Sequence, residues 1–288
     1  MAHADFARWT TTITASYLLA TAVLMATSAA PGRLWLMTAH VLLAAALVWL
    51  RRTPSRPLLR FLRDWHPILL FPLLYKEVEV LGAAVGNWTL TATIPVLEAM
   101  LFGGQPSMYL SQRWPFVPLS EYLHFCYLAY VVVIPAVAGY WYLGNRRGAF
   151  GELVFTLSVV MFASYFVFIV LPVDSPYYLS ARLAPPLSDH FFFTLVHEVS
   201  GRGGARGGAF PSAHVSGAIV VLLVAWRHQR RLAVLLAPII AGVVLATVYG
   251  RFHYAIDSLA GLLVGVVAVW GCRRVSDYRR RESGSFAC

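Results

Sequence analysis

Long apolar runs separated by short arginine clusters set the rhythm of this chain. Eight runs are candidates to cross a bilayer: 10–30, 34–50, 66–86, 121–143, 152–172, 212–227, 232–250 and 253–272. A spanning helix needs about 20 apolar residues for a hydrocarbon core of roughly 30 Å. The second and sixth runs fall short of that, and the third carries Lys76, Glu77 and Glu79. Lipid offers no partner to a backbone N–H or C=O, so the pattern predicts an all-α polytopic membrane bundle of about eight transmembrane helices. Residues 1–65 hold two of them and a basic loop, and residues 66–288 hold a six-helix core. Two connections are long, 87–120 and 173–211. The first, with Trp88, Tyr109, Trp114 and Phe116, suits the outer headgroup level. The second is rich in Pro, Gly, Arg and His and is expected to wall or cover a site.

Arginine sets the orientation. Arg51, Arg52, Arg56, Arg60 and Arg63 follow the second run, Arg146 and Arg147 the fourth, and Arg227, Arg230 and Arg231 the sixth. Arg273, Arg274, Arg279, Arg280 and Arg281 follow the eighth; with Arg8, 16 of the 23 Lys and Arg residues fall on one side. The positive-inside rule makes that side cytoplasmic, with both termini inside. Composition agrees with a membrane protein: 59% of residues are hydrophobic and 12% charged, about half the charge of a soluble domain. The net charge of +10 does not point to nucleic acid, because the basic residues sit between apolar runs and do not interleave with aromatics along a face. Arginine used almost to the exclusion of lysine, with abundant Ala and Leu, is compatible with a high-GC bacterial genome. The expected location is therefore a bacterial plasma membrane.

Three smaller signals change little. Residues 1–30 read as a retained span and not as a leader ending near ATSAA, because a lone Arg8 is a weak n-region. Cys126, Cys272 and Cys288 make no disulfide framework. The sequon Asn87-Trp88-Thr89 falls on the outer side and matters only in a glycosylating host.

The eighth run opens on YGRFHYAIDSLAG, residues 249–261. A charge at the bilayer centre costs about 2.5–3.5 kcal/mol on insertion scales, so these polar residues must face something other than lipid. His253 and Asp257 are four apart, which on a helix stacks them one turn apart on one face. Asp257 can then hold one imidazole nitrogen and leave the other free as a nucleophile or base. Arg251 lies just outside the helix start, where its planar fork can hold a phosphate. Gly261 and Gly265 have the small-xxx-small spacing of close helix packing. A buried His–Asp pair that only locks two helices is the competing reading of these residues.

A second stretch, GGAFPSAHVSG at 207–217, precedes the sixth run. Pro211-Ser212 begins a helix, so unpaired N–H groups and the positive dipole end face outward there. The glycines, Arg202 and Arg206 ahead of it suit an anion-binding loop. By the charge topology, His214, Arg251 and His253 share the outer face.

Phe210-Pro211-Ser212-Ala213-His214 followed by Arg251-Phe252-His253-Tyr254-x-x-Asp257 resembles the type 2 phosphatidic acid phosphatase superfamily. More narrowly it resembles the branch that includes inositol phosphorylceramide synthases. LPVDSPYY at 171–178 resembles that branch's proline-rich segment, and YKEVEVLG and LFGGQPS resemble its N-terminal half more loosely. The resemblance implies that His253 attacks phosphorus and forms a phosphohistidine, with Asp257 orienting it. It implies that His214 protonates the leaving oxygen, and that Arg251, Ser212 and the backbone at Ala213 hold the phosphate oxygens. No metal and no cofactor are implied, since fixed donors supply the charge stabilisation. The superfamily's usual first motif is absent, with Arg206, Arg202 and Arg182 as candidate replacements for its Lys. Its usual Ser-Arg before the nucleophile is also absent: Ala246 and Thr247 stand there, and Arg251 is the expected replacement.

Other polar residues have two readings each. Lys76, the only lysine, and Glu79 are expected to neutralise each other, and Glu77 is a candidate to reach the polar cavity. Tyr177, Tyr178 and Tyr254 are candidates to line a headgroup pocket or to sit in the aromatic belt. Asp174 is a candidate for a hydroxylated headgroup. His197-Glu198 is half of a zinc motif whose second histidine is missing, Gly201 standing there. His66, His124 and His190 are expected at the interface. The expectation is a lipid phosphatase or phosphotransferase with its site on the extracytoplasmic side and a phosphate- or phosphodiester-bearing lipid as partner. A transporter or lipid-binding scaffold, with Lys76, Glu77, Glu79 and Asp257 as coupling charges, is the alternative from another class.

Overall fold

A computed structural model describes residues 3–27, 32–52, 56–86 and 88–285, the side chains of residues 3, 4 and 276–285 excepted. Asn87, Cys288 and the 28–30 stretch lie outside the described residues, as do the side chains of Arg279, Arg280 and Arg281. The described residues form α1 (His3–Thr27), α2 (Arg33–Arg52), α3 (Pro57–Val85), α4 (Thr93–Phe102), α5 (Pro106–Arg113) and α6 (Val117–Leu143). There follow α7 (Arg147–Val170), α8 (Pro176–Leu179), α9 (Phe191–Gly203), α10 (Ala213–His228), α11 (Arg230–Tyr249) and α12 (Ala255–Ser285). The fold is all-α, as the apolar pattern requires, with no strand among the described residues.

Among the described residues six helices, α1, α2, α6, α7, α11 and α12, are long and apolar enough to cross a membrane. Of the eight expected, α3 is 29 residues long but carries Arg60, Arg63, Asp64, Lys76, Glu77 and Glu79. α10 is apolar but only 16 residues long. Sequence explains which helix sits where. α7 is apolar all round and is buried along most of its length at the centre, against α1, α3 and α10. α2 buries one stripe, His40, Ala44, Leu47 and Leu50, and turns Leu34, Trp35 and Leu42 outward, as suits a lipid-facing helix.

The glycine spacing in α12 does what its pattern predicts. A Cβ on Gly261 would lie 2.5 Å from the Ser212 carbonyl oxygen, and one on Gly265 would lie 2.8 Å from that of Ser216. Only glycine lets α10 and α12 approach this closely.

The arginine clusters gather at one end of the bundle. Arg147 reaches Asp64 at 3.8 Å, Arg146 donates to the Gln229 side chain at 3.1 Å, and Arg227 and His228 each hold a Glu152 oxygen at 2.9 Å. The start of α3 and the turns α6–α7 and α10–α11 therefore share that end. The turn between α11 and α12 and the start of α10 are at the other.

The charges of α3 find partners other than those expected. Lys76 donates to the Gly204 carbonyl at 2.7 Å, and Glu79 accepts the Arg206 N–H at 3.3 Å. Both tie α3 to the loop ahead of α10, because that loop offers backbone groups within reach. His66 and His124, expected at the interface, are buried inside the bundle, and His190 precedes α9 at its N-cap.

Candidate active site

His253 lies in the turn between α11 and α12, two residues before the helix begins. The turn requires φ of +62° at Arg251, a left-handed conformation that few non-glycine residues adopt. His253 N–H donates to the Thr247 carbonyl at 2.8 Å, which locks the turn onto the end of α11. The imidazole Nδ1–H donates to the Ala209 carbonyl at 3.0 Å. Burial pushes the His253 pKa down to about 4, the bond to Ala209 opposing it in part.

This corrects one expectation. His253 is not on α12, so it and Asp257 are not stacked one turn apart on a helix. Asp257 Oδ2 lies 3.6 Å from Nδ1, beyond hydrogen-bond range, and accepts the Tyr254 N–H at 2.9 Å instead. A helix start leaves its first N–H groups unpaired, and a carboxylate in the first turn is drawn to them. Oδ1 of Asp257 is buried with no hydrogen-bond partner among the described residues. The Ala209 carbonyl sets the tautomer, and Asp257 adds a second acceptor beside it.

Ala209 is itself held by a short parallel bridge. Val173 N–H donates to the Gly207 carbonyl and Ala209 N–H to the Val173 carbonyl, both at 3.0 Å. Asp174 reinforces it by accepting the Gly207 N–H at 2.9 Å and by reaching Arg206 at 3.7 Å. Asp174 thus anchors the loop ahead of α10.

At the head of α10, Ser212 is the N-cap: its hydroxyl accepts the Val215 N–H at 3.3 Å, and its own N–H donates to the Asp257 carbonyl at 3.0 Å. The Ser212 N–H is thereby engaged, while the hydroxyl accepts and keeps its own O–H to donate. The Ala213 and His214 N–H groups start the helix, where no intrahelical carbonyl exists for them. The His214 ring lies 5.8 Å from that of His253 between centroids, stacked on Tyr127 at 4.7 Å.

An aromatic wall continues from there. Phe252 stacks on Tyr127 at 4.1 Å and on Tyr177 at 5.9 Å, with His197 at 5.5 Å. His197 packs on Phe193 at 3.9 Å, and burial pushes its pKa down to about 4. Tyr177 also donates to the His197 carbonyl at 3.2 Å.

The remaining candidates divide. Arg206 and Arg202 are exposed; Arg206 stands over the Tyr178 ring at 5.3 Å, and Arg202 lies in the last turn of α9. Arg251 turns its guanidinium to the Ala181 and Met108 carbonyls, clamping α5 and the segment after α8 to the turn. Tyr254 is buried with Ile94, Val173 and Ala209. Glu77 is not brought to the site: it pairs with His40 of α2 at 2.8 Å, and His40 in turn with Thr21 of α1 at 2.8 Å. Ala209, Tyr127 and Phe252 carry no functional signal in the sequence, since a backbone carbonyl and two packed rings look like any other. Glu98 does: it is the one charge in TIPVLEAMLF, and it is fully buried against the start of α12.

A neutral imidazole with Nδ1–H fixed presents a lone pair on Nε2. A second imidazole across from it can carry a proton, and a helix start offers N–H groups to an anion. Residues 84–271 match the PAP2 superfamily, 188 of 288 residues. The chain belongs to the PAP2 superfamily. The matched PAP2 region runs from the last turn of α3 into α12 and contains both histidines, the wall and the bridge. Membership in PAP2, with six apolar spanning-length helices, makes this a membrane protein and points to phosphatase or phosphotransferase chemistry. No curated protein and no solved structure gives a significant match.

Proposed function

We propose that this PAP2 protein is a membrane lipid phosphatase or phosphotransferase that works at the outer membrane face through a phosphohistidine at His253. The observation that carries the reading is the pair of imidazoles 5.8 Å apart, one with its Nδ1 already committed to Ala209. The Nε2 lone pair of His253 forms the P–N bond as the P–O bond to the leaving group breaks. His214 gives its proton to the departing oxygen. It then takes one from the incoming water or lipid alcohol, whose oxygen displaces His253 and restores its lone pair.

The Ala213 and His214 N–H groups, with Arg206 and Arg202 beside them, are the proposed holders of the non-bridging oxygens. Ser212 supports that helix start, Arg251 fixes the turn that carries His253, and Tyr177 and Asp174 stand where a headgroup would enter. The arginine-rich turns at the opposite end support an outward-facing site by the positive-inside rule, with α3 and α10 as the seventh and eighth crossings. Water as acceptor makes the protein a phosphatase, and a lipid alcohol makes it an inositol phosphorylceramide synthase-like transferase.

The test is phosphate release by purified protein in detergent, with phosphatidic acid, a prenyl diphosphate and a sphingoid phosphate as substrates. Release lost in His253→Ala supports the phosphatase. Transfer from a phosphodiester lipid to a lipid alcohol, lost in the same variant, supports the transferase. Neither activity from any of these substrates sinks the reading.

A further inference from the structure

α4 is an apolar helix with one charge. Val96, Met100 and Leu101 face outward, Met100 being 76% exposed, as suits a helix lying against lipid. Ile94 and Glu98, one turn apart, face the other way, and Glu98 is completely buried. Its Oε1 accepts the Ala255 N–H, the first of α12, and Ser107 of α5 donates to Oε2 at 3.5 Å. One turn before Glu98, Ile94 packs on Tyr254, Val173 and Ala209. α4 therefore shares a buried cluster with Ala209, which holds the His253 Nδ1–H, and bonds to Ala255, two positions after His253 in the chain.

We propose that Glu98 is a positioning residue for the catalytic turn: its buried carboxylate caps the start of α12 from a separate helix and so sets where His253 stands. A helix start needs an acceptor for its leading N–H groups, and a carboxylate there is favoured by the dipole as well. Asp257 supplies this for Tyr254 from within α12, and Glu98 supplies it for Ala255 from outside. Bonds on two consecutive N–H groups, one from within α12 and one from α4, hold the His253–Tyr254 segment from two sides. A membrane-facing helix would not bury a carboxylate for packing alone, since an isosteric apolar residue avoids the desolvation cost. The inference rests on the proposed role of His253 for its effect on rate, but not for its effect on structure.

The groups facing Glu98 are Asp257 of α12, Tyr254 of the turn and Ser107 of α5. Burial pushes its pKa up to about 7, opposed in part by the bond from Ala255, with the nearby Asp257 carboxylate raising it further and the Ser107 bond lowering it. The folded-state value is raised, so above pH 7 the fold carries the cost of an ionised buried carboxylate. Removing that charge does not lower thermal stability there.

The experiment compares wild type with Glu98→Gln, Glu98→Asp and the lipid-facing control Met100→Ala. Glu98→Gln is expected to keep or raise Tm at pH 8 while kcat falls about tenfold or more, the scale of a lost charge-assisted bond, with KM unchanged. The acid limb of the wild-type rate near pH 7 disappears in Glu98→Gln, and Glu98→Asp recovers part of the rate. An independent readout needs no turnover: the imidazole resonance of His253 in protein labelled with 15N-histidine, assigned by its loss in His253→Ala. It is expected to shift in Glu98→Gln and to move with pH through about 7 in wild type as Glu98 titrates. An unmoved His253 resonance in Glu98→Gln overturns the inference. A moved resonance in a protein without turnover sustains it and rejects the enzymatic reading instead.

Discussion

The Nδ1–H of His253 donates to the carbonyl oxygen of Ala209 at 3.0 Å, while Asp257 waits 3.6 Å from the same nitrogen. A backbone carbonyl cannot be removed by substitution and does not titrate, so the tautomer that frees Nε2 survives changes at Asp257. Asp257→Asn is therefore expected to cost far less than the roughly 10⁴-fold seen where a carboxylate alone sets the tautomer. His253→Ala is expected to abolish turnover. Comparing kcat for the two variants checks this, and equal losses would show that Asp257, not Ala209, sets the tautomer.

Burial lowers the pKa of His253 and His197 to about 4, against an ordinary 6.5. The unfolded chain then binds more protons than the fold between pH 6.5 and 4, so stability is complete above 6.5 and declines as pH falls through that window. His197→Phe, which keeps a ring against Phe193, is expected to flatten the slope of Tm against pH there. Thermal melts in detergent at a series of pH values measure it, and an unchanged slope contradicts the burial argument.

A methyl group on Gly261 would meet the Ser212 backbone at 2.5 Å, which cannot swing away as a side chain can. Gly261→Ala is expected to cost about 1–3 kcal/mol by overpacking. It also pushes α12 from α10 and so separates His253 from His214. Gly271→Ala, on the same helix but with open space around it, is the matched control. Tm and kcat should both fall in the first variant and in neither sense change in the second.

Arg251 spans from the turn to the carbonyls of Ala181 and Met108 with two guanidinium nitrogens. Lysine keeps the charge but not the fork. Arg251→Lys is expected to loosen the 179–190 segment and raise its rate of protease cleavage several-fold, at the scale of one lost charge-assisted bond. Unaltered cleavage with a raised KM would instead assign Arg251 to the phosphate.

Glu77 pairs with His40 across α2 and α3, away from the histidine pair. Glu77→Gln is expected to leave kcat and KM within about twofold and to lower Tm, as loss of a partly buried pair does. A selective rise in KM would return Glu77 to the headgroup.

Much of this protein was legible in its sequence because lipid restricts the choices. Apolar runs of spanning length must be helices, and arginines between them cannot cross, so the all-α bundle and the gathering of the basic turns at one end follow from the order of residues. Gly261 and Gly265 announced the close contact of α10 and α12, since few other reasons place two glycines four apart in an apolar run. His214 and His253 stand out in the sequence because a histidine at the head of an apolar run has few bland explanations, and the structure brings their rings within 5.8 Å of each other.

What the tertiary structure alone decided concerns partners. Residue spacing assumed that His253 lies on the helix with Asp257; the turn at Arg251 takes it off that helix and hands its Nδ1–H to Ala209. Lys76 and Glu79, adjacent on α3, each bond to a loop more than 120 residues away, and Glu77 turns to α2. Glu98 meets the start of α12 across 157 positions of chain. Spacing along one helix reveals which residues share a face, but not which distant carbonyl or N–H will reach that face first. That competition is settled only when the helices pack.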